Sequence, residues 1–254
     1  MNKQIITWLI FSCLIPAGNI FAGEQLGPMA VRIQQQLKSD GRDQYDVLKD
    51  PGRKPFETMQ FFNVKAGTTV LDMTAGGGYN AEILSAAVGA DGVVYAQNSH
   101  FVTTLIKGAL HKAMRGRLEN NRLPNVRYIV VDPEDMPFDE SIDLAIWGLN
   151  MHDVYHRDGE AATIRFLNQI KRALKPGGIL GLSEHVGISD NNNAELHRLE
   201  TSIVLDLVEK AGFVTEETSD LLGNPDDDHT KSIYAEGLRY ATDRILLRAR
   251  KPSN

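Results

Sequence analysis

The sequence contains one cysteine, Cys13, which lies in an apolar segment at the N-terminus. If this segment is removed, the chain keeps no thiol, which excludes disulfides, a cysteine nucleophile and a thiolate metal site. Basic residues are outnumbered by acidic ones, and the formal net charge is −6. Because nothing in this composition predicts a basic surface, we expect no nucleic-acid partner.

Internal repeats and low-complexity segments are absent as well. The 254 residues are 42% hydrophobic and 24% charged, values that are typical of a globular protein. A chain of this length can bury the core of one α/β domain.

The first 22 residues have the pattern of a secretory signal peptide. Lys3 precedes an apolar run over residues 5–15, Pro16 and Gly18 break the run, and Ala22 precedes a polar stretch. We predict cleavage after Ala22 and export to the periplasm. The run is short for a transmembrane helix, so no membrane span is expected after cleavage, and an uncleaved N-terminal membrane anchor is the alternative.

Residues 23–62 are predicted to form a helical lead-in, which could close over a pocket, and residues 63–254 the main domain. In the lead-in, helices are predicted near 28–37 and 56–62, and Asp50-Pro51-Gly52 is predicted as a turn. From Val64 onward, short apolar strands alternate with helices, which indicates a parallel sheet covered on both faces.

Two further strand-like stretches near the C-terminus predict an antiparallel pair added to the sheet. The predicted strands lie near 69–73, 92–97, 126–131, 142–147, 178–184, 213–215 and 244–250, and the predicted helices of the main domain near 79–88, 101–118, 160–174 and 195–211.

A glycine-rich turn follows the first predicted strand. Thr74 and the glycines Gly76, Gly77 and Gly78 separate that strand from a helix starting near Tyr79. Glycines let the backbone turn sharply and approach a ligand, and the helix offers unpaired N–H groups at its start. The turn is typical of a site for a nucleotide-like ligand at the edge of a parallel sheet. A glycine turn that binds nothing is the alternative.

Polar side chains follow the next strands. Asn98 stands about twenty residues after the glycines, where the dinucleotide fingerprint has a ribose-binding acid, and its amide can still bond a ribose diol. Asp132 follows the third strand and can accept a hydrogen bond from an adenine amino group. Asn150 follows the fourth strand. Because the carboxyl ends of these strands meet at one edge, we expect the ligand there.

The same edge gains histidines and carboxylates. No His-Glu-x-x-His motif is present, so we expect no metal site and predict a polar cluster at the substrate end of the pocket. A histidine there can take a proton from a hydroxyl or amine nucleophile, with Asp153 or Glu184 orienting the ring. Polar residues paired only for stability are the alternative. The candidate catalytic residues are His152, Asp153, His185 and His197.

In this order and spacing, the motifs resemble the class I S-adenosylmethionine-dependent methyltransferases over about residues 55–250. The resemblance is carried by the glycine turn, by Asp132-x-x-Asp-x-Pro-Phe and by Leu-Lys-Pro-Gly-Gly at 174–178. Arg53-Lys54-Pro55-x-Glu57 and Asn150-x-His152-Asp153 further resemble a group of predicted bacterial methyltransferases with an export signal and no assigned substrate.

The resemblance implies an α/β fold: a Rossmann-like, doubly wound, mostly parallel seven-stranded sheet with an antiparallel C-terminal strand. It also implies S-adenosyl-L-methionine as cofactor. The residues that it places at the cofactor are Asp72, Thr74, Gly76, Gly77, Gly78, Asn98, Asp132 and Asn150. Thr74 and Asn98 depart from the glycine and the acid that the family usually has.

The function implied is methyl transfer to a small-molecule acceptor. One alternative is an exported, non-catalytic ligand-binding module on the same fold, since the cofactor is made in the cytoplasm. Another is an NAD-dependent oxidoreductase, because Gly76-x-Gly78-x-x-Ala81 formally fits the dinucleotide pattern. The Leu-Lys-Pro-Gly-Gly strand and the antiparallel ending argue against the oxidoreductase.

Overall fold

The computed structural model of the protein describes residues 27–253. The predicted signal peptide, its cleavage point after Ala22 and Cys13 lie outside these residues. The lead-in contains three helices, α1 (Pro28–Leu37), α2 (Gln44–Arg53) and α3 (Pro55–Phe61), and the domain boundary near residue 62 stays a prediction. Within the described part, no helix combines the length and the apolar character that crossing a membrane requires.

Strands and helices alternate through the rest of the chain. The strands are β1 (Thr69–Met73), β2 (Val93–Asn98), β3 (Val126–Val130), β4 (Ile142–Gly148), β5 (Leu174–Gly187), β6 (Leu199–Glu200), β7 (Val214–Ser219) and β8 (Arg244–Arg250). The helices among them are α4 (Tyr79–Val88), α5 (His100–Leu118), α6 (Met151–Asp158), α7 (Glu160–Ala173), α8 (Asn193–Leu196) and α9 (Thr201–Lys210).

The strands form one sheet in the order β3-β2-β1-β4-β5-β8-β7, and the short β6 pairs with the end of β5. Strands β1 to β5 are parallel, whereas β8 runs antiparallel to both β5 and β7. This confirms the predicted Rossmann-like, mostly parallel sheet with an antiparallel ending. The strand order reverses between β1 and β4, which is where open α/β sheets form a ligand crevice.

Alternating residues of the strands bury against both layers of helices. In β1, Leu71 and Met73 belong to a core that also contains Leu167 of α7 and Leu207 of α9. Val70 belongs to a second core, which includes residues of α1, α3 and α4. Because side chains alternate along a strand, a strand that is apolar at successive positions must be covered on both faces, as observed.

Asp50-Pro51-Gly52, predicted as a turn between helices, instead lies at the helical C-terminal end of α2. Contacts distant in sequence hold it helical. The Tyr79 hydroxyl donates to Asp50 at 2.9 Å, and Nη2 of Arg244 donates to the carbonyl of Gly52 at 2.6 Å. The helix ends at Lys54, which has a left-handed φ of 40° and precedes a proline that disfavours helical geometry at this position.

The predicted helix over 101–118 is interrupted, because residues 105–108 leave helical geometry within α5. Gly108 has a φ of 79°. Just before the break, the hydroxyls of Thr103 and Thr104 donate to the carbonyls three residues earlier, at 2.7 Å each. Such bonds compete with the helical ladder, so the break has a local cause.

The predicted helix over 195–211 is also wrong in its first half. The chain forms α8, turns at His197 with a left-handed φ of 57°, and pairs with β5 through β6 before α9 begins. Arg198, which is completely buried, fixes this turn through Asp227. In addition, α6 occupies a segment for which the sequence predicted only polar strand-end residues.

Candidate active site at the carboxyl edge of the sheet

The glycine-rich turn connects β1 to α4 at the strand-order reversal. Thr74, Gly76 and Gly78 all have positive φ, at 53°, 56° and 90°. A side chain at Gly78 would also collide with Met114, since a Cβ there would lie 2.8 Å from its Cε. The positive φ favours glycine at this position, and a larger residue would also displace the end of the Met114 side chain.

Asn98, the predicted ribose contact, lies beneath this turn. Its side chain is fully buried, and its Oδ1 accepts from the N–H of Gly76 at 2.8 Å. Its Nδ2 donates to the carbonyl of Gly76 at 2.9 Å and to the Tyr128 hydroxyl at 3.3 Å. Asn98 thus shapes the ligand-binding loop from below, and a direct contact with a ribose stays a prediction.

Two cavities open on either side of Thr74. The first, of about 300 Å³, is lined by Ser99, Phe101 and Asp132 as well as Thr74, and we call it the Asp132 cavity. The second, of about 490 Å³, is lined on one side by Thr74, Gly76, Gly77, Asn80 and Asn150. We call it the glycine-loop cavity. An extended ligand bound across Thr74 would occupy both.

Asp132 holds the start of α5. Its Oδ1 accepts from the N–H of His100 at 3.0 Å, and its Oδ2 lies 3.2 Å from Nδ1 of the same histidine. The Asp132 side chain is 44% exposed, so it lies within reach of a ligand in the Asp132 cavity.

Asp72 is buried at the end of β1, beside the first turn of α4. Its Oδ2 has no hydrogen-bond partner among residues 27–253. Burial raises the pKa of Asp72 to about 7, although the nearby charge of Arg53 acts in the opposite direction. A buried carboxylate oxygen without a hydrogen-bond partner is costly for the fold.

The four candidate catalytic residues come together in space, joined by Glu184. The buried His152 ring places Nδ1 2.7 Å from Oε1 of Glu184, and the backbone N–H groups of His152 and His185 also donate to this carboxylate, at 3.0 and 2.7 Å. Asp153 Oδ1 lies 3.4 Å from Nε2 of His152 and 3.2 Å from Nδ1 of His197. The predicted polar cluster therefore exists.

The pKa values of the two buried histidines of this cluster are shifted in opposite directions. Burial acts to lower the pKa of His152, but the Glu184 carboxylate outweighs it and raises the pKa above its ordinary value. The pKa of His185 is well below its ordinary value because of burial and the nearby positive groups of His152 and Arg244. Neighbouring groups with opposite shifts are typical of functional sites.

Helix α2 forms a wall of the glycine-loop cavity. The sequence predicted a lead-in that could close over a pocket, but it did not predict this helix. It and the residue before it contribute Asp43, Tyr45, Asp46, Lys49 and Arg53. Tyr234 completes the lining from the loop after β7, and its ring lies 5.1 Å from that of His197. Arg53 belongs to the lead-in motif, which was the one sequence signal for this wall.

A buried charge network anchors α2 to the glycine-rich turn. Asp46 accepts from Nη2 of Arg117 at 2.6 Å, and Arg117 also pairs with Glu82 of α4. Nε of the same arginine donates to the carbonyl of Gly77 at 2.9 Å. Arg122 binds Glu82 through both guanidinium nitrogens, at 2.7 and 2.8 Å. The lead-in is therefore linked, through Arg117 of α5, to the loop that lines the cavity.

Comparison with known proteins gives matches to methyltransferases. Residues 71–182 match a family model described as a methyltransferase domain. The chain is 28% identical over 194 residues to the ubiquinone/menaquinone biosynthesis C-methyltransferase UbiE of Idiomarina loihiensis, covering 76% of this chain and 67% of that protein. It is 32% identical over 129 residues to the UbiE of Pseudomonas putida, covering 50% of this chain and 45% of that protein. The chain thus spans less than half the length of the second relative.

Solved structures share the fold. A SAM dependent methyltransferase from Aquifex aeolicus superposes with a TM-score of 0.59 and 20% identity, covering 80% of this chain and 95% of that one. At this level of identity the likeness concerns the architecture of the sheet and its helices.

Proposed function

Since the chain belongs to the class I S-adenosylmethionine-dependent methyltransferase superfamily, we propose that it methylates a small molecule bound in the glycine-loop cavity. The observation that carries this proposal is the cavity itself. It joins the cofactor-type turn to a polar wall from α2 and has a volume of about 490 Å³. This is the size range of small-molecule sites.

The residues present fit S-adenosylmethionine. Oδ2 of Asp72, which has no hydrogen-bond partner among residues 27–253, lies at the strand end beside the turn, where the ammonium group of a ligand would supply a donor. Thr74 joins the two cavities, and Asp132 is exposed in the one suited to adenine. When bound, the cofactor supplies an electrophilic methyl group. The chain's own residues position donor and acceptor, which is the main requirement of such a transfer.

The acceptor end of the cavity is polar. The α2 wall carries charges of both signs, from Asp46, Lys49 and Arg53 among others. The cluster of His152, Asp153, His185 and His197 borders this end, because Asn150 immediately precedes α6 and Tyr234 contacts His197. We therefore propose an acceptor with hydrogen-bonding groups. The UbiE relatives are named as C-methyltransferases of ubiquinone and menaquinone biosynthesis, so quinol-like compounds belong in a first acceptor panel.

Cofactor binding tests the proposal directly. Calorimetry and thermal melting would be carried out with S-adenosylmethionine, S-adenosylhomocysteine and NAD. A ligand at about a hundred times its dissociation constant adds roughly 2.7 kcal/mol, which is a melting shift of about 5–10 °C for a chain of this size. We expect shifts with both sulfur ligands and none with NAD. No shift with either sulfur ligand would contradict the proposal.

Turnover is then measured as S-adenosylhomocysteine released with phenols, quinols, amines and thiols. Product with one acceptor class identifies the substrate. Donor binding without product from any class would favour the alternative of a ligand-binding module.

We also propose that the protein is exported with cleavage after Ala22. The basic residue, apolar run and small residue before the cut support this. Mass spectrometry of the protein from the periplasmic fraction should show Gly23 as the first residue. Recovery of the chain only from the cytoplasm with its first residues intact would contradict export.

A further inference from the structure

We propose that His152, Asp153 and His197 bind one divalent transition-metal ion. Among residues 27–253, these are the three His, Cys, Asp or Glu side chains that each offer a ligand atom within 4.8 Å of the other two. Two imidazoles and one carboxylate form a donor set that zinc and related ions use in proteins. The metal site goes beyond the proposed function, and only its role toward the acceptor rests on that function.

The distances between the ligand atoms suit tetrahedral coordination. Zinc binds nitrogen and oxygen at about 2.0–2.2 Å, so two ligand atoms of a tetrahedral site lie about 3.3–3.6 Å apart. Oδ1 of Asp153 is 3.4 Å from Nε2 of His152 and 3.2 Å from Nδ1 of His197. Both pairs are already near the spacing that a shared ion imposes.

The supporting partner of a metal-binding histidine is also present. Nδ1 of His152 is bonded to the fully buried carboxylate of Glu184, and this carboxylate also accepts two backbone N–H groups. Metal-ligating histidines commonly donate their second ring nitrogen to a carboxylate in this way, which fixes the ring and leaves Nε2 for the metal.

His197 is held just as firmly by its neighbour in the chain. The buried guanidinium of Arg198 binds both oxygens of Asp227 at 2.9 Å, and its Nη1 also donates to the carbonyl of Val186 at 2.9 Å. The carbonyl of Arg198 lies 2.8 Å from Nε2 of His156 on α6. Because α6 also carries His152 and Asp153, this contact fixes both sides of the site relative to each other.

Three protein ligands leave one coordination position for a water or a substrate atom, as in catalytic rather than structural zinc sites. Asp153 and His197 are 44% and 37% exposed, so the position can be reached from outside. If the proposed function holds, an acceptor with an oxygen, nitrogen or sulfur donor would occupy it beside Tyr234.

The test measures metal binding by the chelator-stripped full chain without cofactor or acceptor. Zn²⁺ is titrated by calorimetry, and Co²⁺ by the visible absorption that tetrahedral cobalt shows. We expect one equivalent to bind. His197→Ala and Asp153→Asn should each weaken binding at least tenfold, and Glu184→Gln should weaken it about 10- to 100-fold.

His229→Gln is the matched control. Nε2 of His229 lies 2.8 Å from Asp243, so this variant alters another histidine–aspartate pair and should bind as the wild type does. Circular dichroism verifies folding, and the partly exposed Asp153→Asn variant remains informative if Glu184→Gln does not fold. No saturable binding, or equal affinity in the wild type and Asp153→Asn, would overturn the proposal.

Donor binding is measured on the same samples. Donor binding without metal binding overturns only the metal site, and metal binding without donor binding contradicts only the proposed function.

Discussion

At the scale of single residues, the last position of β2 differs from the pattern that is usual among the related methyltransferases. Asn98 stands where an acid is usual, and the sequence alone suggests that restoring the acid would improve cofactor binding. The structure indicates the opposite, because both polar atoms of the Asn98 side chain are used by Gly76.

We therefore predict that Asn98→Asp destabilises the protein and weakens the binding of the methyl donor, S-adenosylmethionine. The aspartate loses the donor for the carbonyl of Gly76 and buries a charge, which should reduce the free energy of unfolding by about 1–3 kcal/mol. Urea unfolding and calorimetry measure the two effects. Asn168→Asp, which makes the same chemical change at an exposed position of α7, is the control. A variant that binds the donor more tightly than wild type would show that position 98 contacts the ligand.

Asp72 gives a prediction about pH. Its pKa of about 7 in the folded protein lies above the ordinary value of 3.8, so the unfolded chain ionises first as pH rises. The stability of the ligand-free protein should fall between about pH 4 and pH 7 through this residue. The full difference corresponds to about 4 kcal/mol.

Asp72→Asn removes this contribution. The free energy of unfolding of the variant minus that of the wild type should therefore be larger at pH 8 than at pH 5. Urea midpoints of both proteins at the two pH values test this. A stability difference between the two proteins that does not change with pH would contradict the raised pKa. The same variant should bind the donor at least tenfold more weakly if Asp72 pairs with its ammonium group.

At the scale of elements, the lead-in is the feature that most affects the site. Helix α2 lines the glycine-loop cavity, and Asp46 ties it to Arg117, which in turn holds Gly77. A ligand in the cavity would contact α2 and the glycine-rich turn at the same time. The sequence predicts that the lead-in could close over a pocket, and this closure stays a prediction.

We predict that donor binding protects α2 from proteolysis, since a bound ligand links it to the rest of the domain. Asp46→Asn should increase cleavage within residues 43–54 and weaken donor binding by breaking the pair with Arg117. Limited proteolysis with and without the methyl donor, followed by mass spectrometry, measures the cleavage, and calorimetry measures donor binding. Asp40→Asn makes the same chemical change at an exposed position and should behave as wild type. Equal cleavage with and without donor would count against the lid.

Some helices and strands lie where the sequence pattern predicts them, and others do not. The strand β1 and helix α4 lie where the alternation of apolar residues predicts them, because their burial follows directly from that pattern. The turn predicted at 50–52 is helical because Tyr79 and Arg244 hold it, and the predicted helix at 195–211 is divided because Arg198 must reach Asp227. These partners are distant in sequence, so no local pattern contains them.

At the scale of the whole molecule, a buried ion pair joins the loop between β7 and β8 to the residue that precedes β6. Arg198 and Asp227 are fully buried and bonded through two nitrogen–oxygen pairs at 2.9 Å. The same loop supplies Tyr234 to the cavity. This ion pair therefore links the stability of the protein to the shape of the site.

Arg198→Met should reduce the free energy of unfolding by about 3–5 kcal/mol, because it leaves the Asp227 carboxylate buried without its partner. Adding Asp227→Asn removes that charge and keeps one oxygen, which can accept from the backbone N–H of either His229 or Asp243. The double variant should recover part of the loss in urea unfolding. If it were no more stable than Arg198→Met, the buried charge would not be the cause.

The sequence by itself determined the α/β class, the position of the glycine-rich turn, the cofactor family and the polar residues at the strand ends. The fold class, the turn and the polar residues follow from local patterns: apolar periodicity, glycines where the backbone must turn, and polar residues where parallel strands end. The cofactor family follows from the resemblance of these motifs to a known family. Only the tertiary structure decided that Asn98 lies beneath the turn, that α2 walls the cavity and that Arg198 holds the turn at His197 through Asp227. The physical reason is that each of these contacts joins residues far apart in the chain, and only the packing of sheet, helices and loops brings them within bonding distance.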